Sequence, residues 1–213
     1  MLTPVLMSPA DLAYPIATDE VIDTFTANYV VRATATDGVN LITVLEASGM
    51  VQVHSGFSST VTSSFDLGGA VRGLTVVGGN LVAADALTDT ITVYSGLTNT
   101  AVSSFAYLNG AGLTTAAGDL VACNTSSDVT VFSGLSSSVQ KTITLTGTPS
   151  SVAYDGVRLY AGLSGGINVY DGLSSTVLDT ITGSRPEGLC FLGGDLVSAS
   201  VTVSTTVFNR YGS

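Results

Sequence analysis

VYSGLTNTAVSSF, residues 93–105, decides the fold, because the phrase returns as VHSGFSSTVTSSF from Val53, VFSGLSSSVQKTI from Val131 and VYDGLSSTVLDTI from Val169. Each copy runs from a valine and a ring-bearing residue through a Ser-Gly or Asp-Gly turn into a Ser/Thr-rich stretch ending on Phe or Ile. The turn glycines Gly56, Gly96, Gly134 and Gly172 stand 40, 38 and 38 residues apart. A period of that length is the signature of stacked supersecondary units, each too small to bury its own apolar face.

On either side of the phrase, each repeat reads as four short strands. In the second copy these are Gly73 to Val77, Leu81 to Ala84, Thr90 to Tyr94 and Thr100 to Phe105. The segments are rich in Val and Thr and bounded by Gly, Asn, Asp and Ser, which is hairpin chemistry and too short for helix. A tight turn recurs at Asp37–Asn40, Gly78–Asn80, Gly118–Asp119, Asp155–Arg158 and Gly193–Asp195. Leu41, Leu81, Leu120, Leu159 and Leu196 follow these turns without exception, which marks a buried register position.

The two ends of the chain hold partial copies. AYPIATDEVIDTFTA from Ala13 matches VYDGLSSTVLDTITG from Val169, so the first strand, expected over residues 18–26, is the last strand of a repeat. TTVFNR from Thr205 matches the strand that leads into the turn, with Val207 and Phe208 in the slots of Val169 and Tyr170. Setting the N-terminal strand beside the strand ending at Phe208 closes a ring of five blades and leaves no repeat incomplete, which is how radially repeated sheets avoid unpaired edges.

The repeats resemble those of short-repeat β-propellers in the broad NHL and YVTN-like class, and the GFSST and GLSST turns resemble propeller repeats of phage and marine microbial proteins. The resemblance spans residues 17–213. The expected fold is therefore all-β: a five-bladed β-propeller of four-stranded blades, closed by the N-terminal strand joining the C-terminal blade. The five-fold count is also similar to small lectin propellers of the tachylectin type, whose sugar-binding motif is not matched here.

Composition bounds the function. The 213 residues carry one lysine and five arginines against sixteen acids, a net charge of −10. Such a balance argues against nucleic acid and anionic membrane surfaces as partners. MLTPVLMSPADLAYP lacks the basic start and unbroken apolar run of a signal peptide, and no stretch is long enough to cross a bilayer as a helix. Cys123 and Cys190 fall in different strands two blades apart, so they read as two small buried hydrophobes rather than a disulfide.

Catalytic signals are sparse. The one histidine, His54, occupies the slot that Tyr94, Phe132, Tyr170 and Phe208 fill in other repeats, so packing is favoured over a general base or ligand. Metal-ligand spacing of His and Cys is missing, and the oxygen-rich turns hold one acid each, which favours turn chemistry over a calcium cage. The sequence thus predicts a protein that is not an enzyme and needs no cofactor.

Two departures from the repeat remain. The loops joining one blade to the next, and the second strand to the third, should share one face; they vary most and supply a candidate binding face at Arg72, Asp85, Asp89, Asn124, Asp128, Arg185 and Glu187. Loops also vary where nothing constrains them. Residues 1–16 form an arm whose Leu2, Val5, Leu6, Met7, Leu12 and Tyr14 have no slot in the ring. The arm either docks on another protein or pads the underside of the propeller of residues 17–213.

The resulting expectation is a structural or adhesion component of a phage-like virion, made in the host cytoplasm and held to other virion proteins by its arm. Its outward face would meet a host-surface glycan or protein. A soluble carbohydrate-binding lectin and a hydrolase using the channel stand as alternatives. The virion setting rests on what the repeats resemble.

Overall fold

The structure, a computed structural model, describes residues 20–46 and 48–212, and every regular element in it is a strand. The attachment arm, including Leu2, Val5, Leu6, Met7, Leu12 and Tyr14, lies outside the described residues. Strand β1 (Val21–Ala27) stands apart from the four strands that follow it, β2 (Val31–Thr36), β3 (Leu41–Leu45), β4 (Met50–His54) and β5 (Val61–Asp66), which form blade 1. Blade 2 is β6 (Val71–Val77), β7 (Asn80–Asp85), β8 (Thr90–Tyr94) and β9 (Ala101–Ala106); blade 3 is β10 (Gly110–Ala116), β11 (Asp119–Asn124), β12 (Asp128–Phe132) and β13 (Val139–Thr144). Blade 4 is β14 (Ser151–Tyr154), β15 (Leu159–Leu163), β16 (Gly166–Tyr170) and β17 (Val177–Thr182). Blade 5 takes β18 (Pro186–Leu192), β19 (Asp195–Val201) and β20 (Thr206–Tyr211) from the C-terminal end, and β1 completes it as the outermost strand.

The chain is thus a five-bladed β-propeller. The first strand of each blade lies innermost, and β2, β6, β10, β14 and β18 each touch the next around a closed ring. The apolar core is divided into five clusters, one in each gap between neighbouring blades. All five leucines that follow the tight turns are fully buried, as the constant register requires. In the outer strands Ile143 and Ile181 are buried while Phe25, Phe65 and Phe105 are partly so.

The Ser/Thr-rich phrase is turn chemistry. Gly56, Gly96, Gly134 and Gly172 all have φ between 54° and 62°, a left-handed geometry that glycine adopts at no steric cost. In three of these four turns a hydroxyl folds back three residues on: Ser58, Thr98 and Ser136 donate to the carbonyls of Ser55, Ser95 and Ser133. The main chain then closes each loop, as in Ser95 N–H to the Thr100 carbonyl. At two of the opposite hairpins an Asp caps its own turn: Asp37 Oδ1 accepts from the amides of Val39 and Asn40, and Asp155 Oδ1 from those of Val157 and Arg158.

At the seam the N-terminal half of the expectation holds and the C-terminal half needs correction. Strand β1 runs antiparallel to β20 with Phe25 opposite Phe208, and their rings stack with centroids 4.5 Å apart. But β20 does not end at Phe208. It continues to Tyr211, which faces Leu196 as Tyr94 faces Leu81 and Tyr170 faces Leu159. Arg210 therefore holds the slot of Val93 and Val169, and Val207 is only half-buried. Phe208 lies instead opposite Ala199, where other blades place Val51, Ile91, Val129 and Ile167. The shift arises because Val-Phe imitates the Val-aromatic pair, whereas the inward face selects for burial of the Phe208 ring against Phe25. Arg210 is made tolerable by Asp195, whose Oδ2 accepts from its Nη2 at 2.6 Å and Nε at 2.8 Å. A further tie crosses the seam through buried Thr206, whose Oγ1 accepts from Val31 N–H at 2.9 Å and donates to the Tyr29 carbonyl at 2.8 Å.

Candidate functional site

The ring's innermost strands share a device that aims side chains at the axis. In β2, β6, β10 and β18 the pairing skips one residue, leaving Arg32, Arg72, Ala111 and Glu187 as bulges. In blade 4 Ser150 plays the same part, its N–H bonding to the Gly162 carbonyl beside the Ser151–Gly162 pair. A bulge re-aims the extra side chain. Here all five turn to one end of the channel, where they line a recess of about 200 Å3 together with Thr125 and Arg185.

This end is the face that carries the interblade loops. The loops between second and third strands bond to those joining successive blades, as in Glu46 N–H to the Val30 carbonyl, Ala86 N–H to Ala70 and Thr125 N–H to Asn109. One residue below the bulges the blades crowd together. A Cβ on Gly112 would lie 2.7 Å from the Ser151 Cα, and one on Gly188 would lie 2.7 Å from the Thr34 main chain. The channel is pinched there to a void of about 10 Å3, so the recess is a cup with a floor. Beyond the pinch a second recess of about 200 Å3 is lined by Thr34, Thr36, Thr75, Thr114, Thr115 and uncharged neighbours.

Three of the five arginines meet at the mouth in a chain whose net charge is −10. Arg32 is held by Glu46 and by Glu187 Oε2, the latter 3.0 Å from its Nη1. Burial works against the Arg32 charge, but hydrogen bonding and attraction from the two carboxylates outweigh it and raise its pKa. Glu187 also faces Arg185, with Oε1 3.8 Å from Nε, a looser contact on an arginine whose side chain is about half-exposed at 48%. Arg72 has no carboxylate or hydrogen-bond acceptor within reach among the described residues. Ser150 donates its hydroxyl to the Pro186 carbonyl at 2.5 Å, which ties blade 4 to blade 5 under the rim.

Of the candidate binding residues, the mouth brings together Arg72, Arg185 and Glu187. The other four stand on the same face but are engaged in holding loops. Asp85 Oδ1 accepts from the amides of Leu87 at 2.7 Å and Ala70 at 3.3 Å, and Asp89 Oδ1 accepts from Asn109 N–H. Asn124 Oδ1 accepts from the amides of Ser126 and Asp128, and Asp128 Oδ1 from the Thr144 hydroxyl. Sequence reasoning missed Arg32, although Val31-Arg32 repeats Val71-Arg72 at the same strand position.

His54 is fully buried at the end of β4, beside the stacked rings of Phe25 and Phe208, with its own ring centroid 6.2 and 6.4 Å from theirs. Its Nε2 lies 3.1 Å from Thr43 Oγ1 and 3.4 Å from the Tyr29 hydroxyl. Burial pushes its pKa down, with a smaller opposing push from the Ser58 main chain, while Nδ1 has no partner at hydrogen-bond geometry among the described residues. The folded imidazole therefore takes up its proton at a lower pH than the unfolded one, which does so near pH 6.5. Stability is complete above that pH and is expected to fall as the pH drops below it toward the depressed folded value. Melting temperatures measured from pH 7.5 to 5 should show this slope, and His54→Phe, which copies Phe132 in blade 3, should flatten it. An equal slope in the variant would assign the effect to other groups.

Cys123 and Cys190 are free and buried, and burial pushes both thiols up to about 12. Among the described residues no group of three His, Cys, Asp or Glu side chains converges to hold a metal.

No protein-family model matches the sequence, and neither does any curated protein. Solved structures do resemble it in shape. The Myxococcus xanthus glutaminyl cyclase superimposes with a TM-score of 0.74 at 14% identity, covering 91% of this chain and 97% of its own. The Neurospora crassa Pan2 WD40 domain gives 0.55 at 10% identity, covering 86% of this chain and 64% of its own. Kuenenia stuttgartiensis hydrazine synthase gives 0.54 at 14% identity, covering 81% and 56%. At such identities the likeness is one of fold. It nevertheless overturns the expectation that the chain is not an enzyme, because a protein of nearly the same extent and shape is a cyclase. A buried histidine in a ring-shaped fold is no ground for excluding turnover, which depends on the site rather than the scaffold.

Proposed function

We propose that this propeller works as a recognition module whose ligand site is the arginine-bearing cup on the loop face. The observation that carries the reading is the set of bulges in the innermost strands, which spends irregular pairing to turn Arg32, Arg72 and Glu187 into one recess. Side chains that served only the core would have no cause to converge there. Binding in the cup is the step that recognition and turnover share.

Mapping by amide chemical shifts tests the site even while the ligand is unidentified. Titration with small organic acids, neutral sugars and amines should perturb Arg72, Thr125 and Glu187 ahead of the rest of the ring. Perturbation confined to the opposite recess or the outer strands would move the site away from the cup.

The setting we propose is adhesion on a phage-like particle, with the cup turned toward a host-surface glycan or protein and the arm of residues 1–16 joined to other virion proteins. The likeness of the GFSST-type turns supports it. Co-purification with capsid or tail proteins is the expected result, and a protein that binds glycans but never enters particles would favour the free lectin.

A further inference from the structure

We propose that the cup selects a small, hydroxylated monocarboxylate, such as a uronic or aldonic acid, with Arg72 as the anchor of its carboxylate; this rests on the cup being the ligand site. The charge count at the rim sets the valence. Arg32, Arg72 and Arg185 face Glu46 and Glu187, so the arginines that line the cup and the carboxylates paired with them sum to one positive charge. A dianion such as phosphate would bring one negative charge more than the rim can balance, beside the Glu187 carboxylate.

The three guanidinium groups are not equivalent. Arg32 is occupied on two sides by Glu46 and Glu187, so its fork is already filled. Arg185 is half-exposed and only loosely paired. Arg72 has neither partner among the described residues, and its planar fork matches a carboxylate through two parallel hydrogen bonds. It extends from a bulge on β6, a strand fixed in the inner ring, so the anchor is held by scaffold rather than by loop.

The rest of the lining fits hydroxyl groups. Glu187 accepts from them, Thr125 both donates and accepts, and Ser150 keeps lone pairs open while its proton goes to Pro186. The lining contains no aromatic ring, so a stacked base or indole finds no platform. A recess of about 200 Å3 with a closed floor is smaller than the roughly 300 to 1,000 Å3 typical of drug-sized ligands, which points to a molecule of monosaccharide size.

Isothermal titration and amide-shift mapping of the full chain with D-glucuronate, gluconate, propionate, glucose and inorganic phosphate test this. Glucuronate and gluconate should perturb Arg72 and Glu187, and which binds tighter separates a ring acid from an open-chain one. Glucose, lacking the charge, and propionate, lacking the hydroxyls, should each bind at least about tenfold more weakly. Arg72→Ala should weaken the preferred acid by ~10- to 100-fold, the span of one to two charge-assisted hydrogen bonds, with Arg72→Lys between the two. Because Arg72 is exposed, both variants should melt with the wild type. Binding of the acids should also weaken as salt is raised. Glucose or phosphate binding as tightly as the acids, or an Arg72→Ala variant of unchanged affinity, would overturn the carboxylate reading. If neutral or cationic compounds perturb the cup and acids do not, that reading fails while the cup survives as a site. If nothing perturbs the cup, both fail.

Discussion

A chain lacking residues 1–27 is expected to lose its fold outright, appearing as aggregate in gel filtration and without a cooperative melt. The deletion removes all of β1, and with it the stack of Phe25 on Phe208 and the Thr24 hydroxyl bond to the Phe208 carbonyl. It also strips the cluster between blades 5 and 1, where Ala27, Val31, Leu41, Val197, Ala199 and Phe208 pack together. The third strand of blade 5 then becomes a bare edge, an open template for pairing with other chains. Phe208→Ala isolates the packing part of this loss: the ring is fully buried, and its removal should cost about 3 to 5 kcal/mol in chemical denaturation. A truncated protein that stays monomeric at the wild-type melting temperature would mean that the inner strands alone hold the ring shut.

The second large effect concerns the leucine that follows each tight turn. Leu120→Ala should destabilise by about 2 to 5 kcal/mol, because Leu120 is fully buried between blades 2 and 3 against Val82, Val93 and Phe132, in a gap that cannot relax without moving a blade. Val102→Ala, on the outer strand at 65% exposure, should stay within about 0.5 kcal/mol. Parity between the two substitutions in urea unfolding would mean that the interblade clusters do not hold the ring together.

These positions show why much of the fold was legible. Leu120 and its counterparts recur because each gap between blades demands the same apolar volume, and Gly96 and its counterparts recur because each turn demands the same backbone angle. Repetition turns one argument into five. Where the chain departs from repetition, reading by likeness misleads: Val207-Phe208 copies the look of Val131-Phe132, yet the true counterpart of Phe132 is Tyr211, three residues on. Burial on the inward face chose the register, and a three-residue match did not contain that information. The cup was half legible. Arg72, Arg185 and Glu187 stood out as charges among uniform loops, but their convergence depends on bulges, and a bulge has no composition of its own. The acids of the second-to-third strand loops, by contrast, were prominent in the sequence because they cap amides, a local duty that looks the same as a functional one until hydrogen bonds are assigned.

The seam also sets an order of events during synthesis. Thr24 and Phe208 are partners in the finished ring but 184 residues apart in the chain. At roughly 5 to 20 residues per second, the ribosome separates their emergence by about 10 to 40 s. Four blades have all their strands before that interval ends, while β1 waits with its hydrogen-bonding edge unclaimed until β20 leaves the exit tunnel. Nascent chains arrested before residue 206 are thus open arcs, the stage at which two copies could exchange their first strands, and the faster the last blade is made, the less time remains for that error.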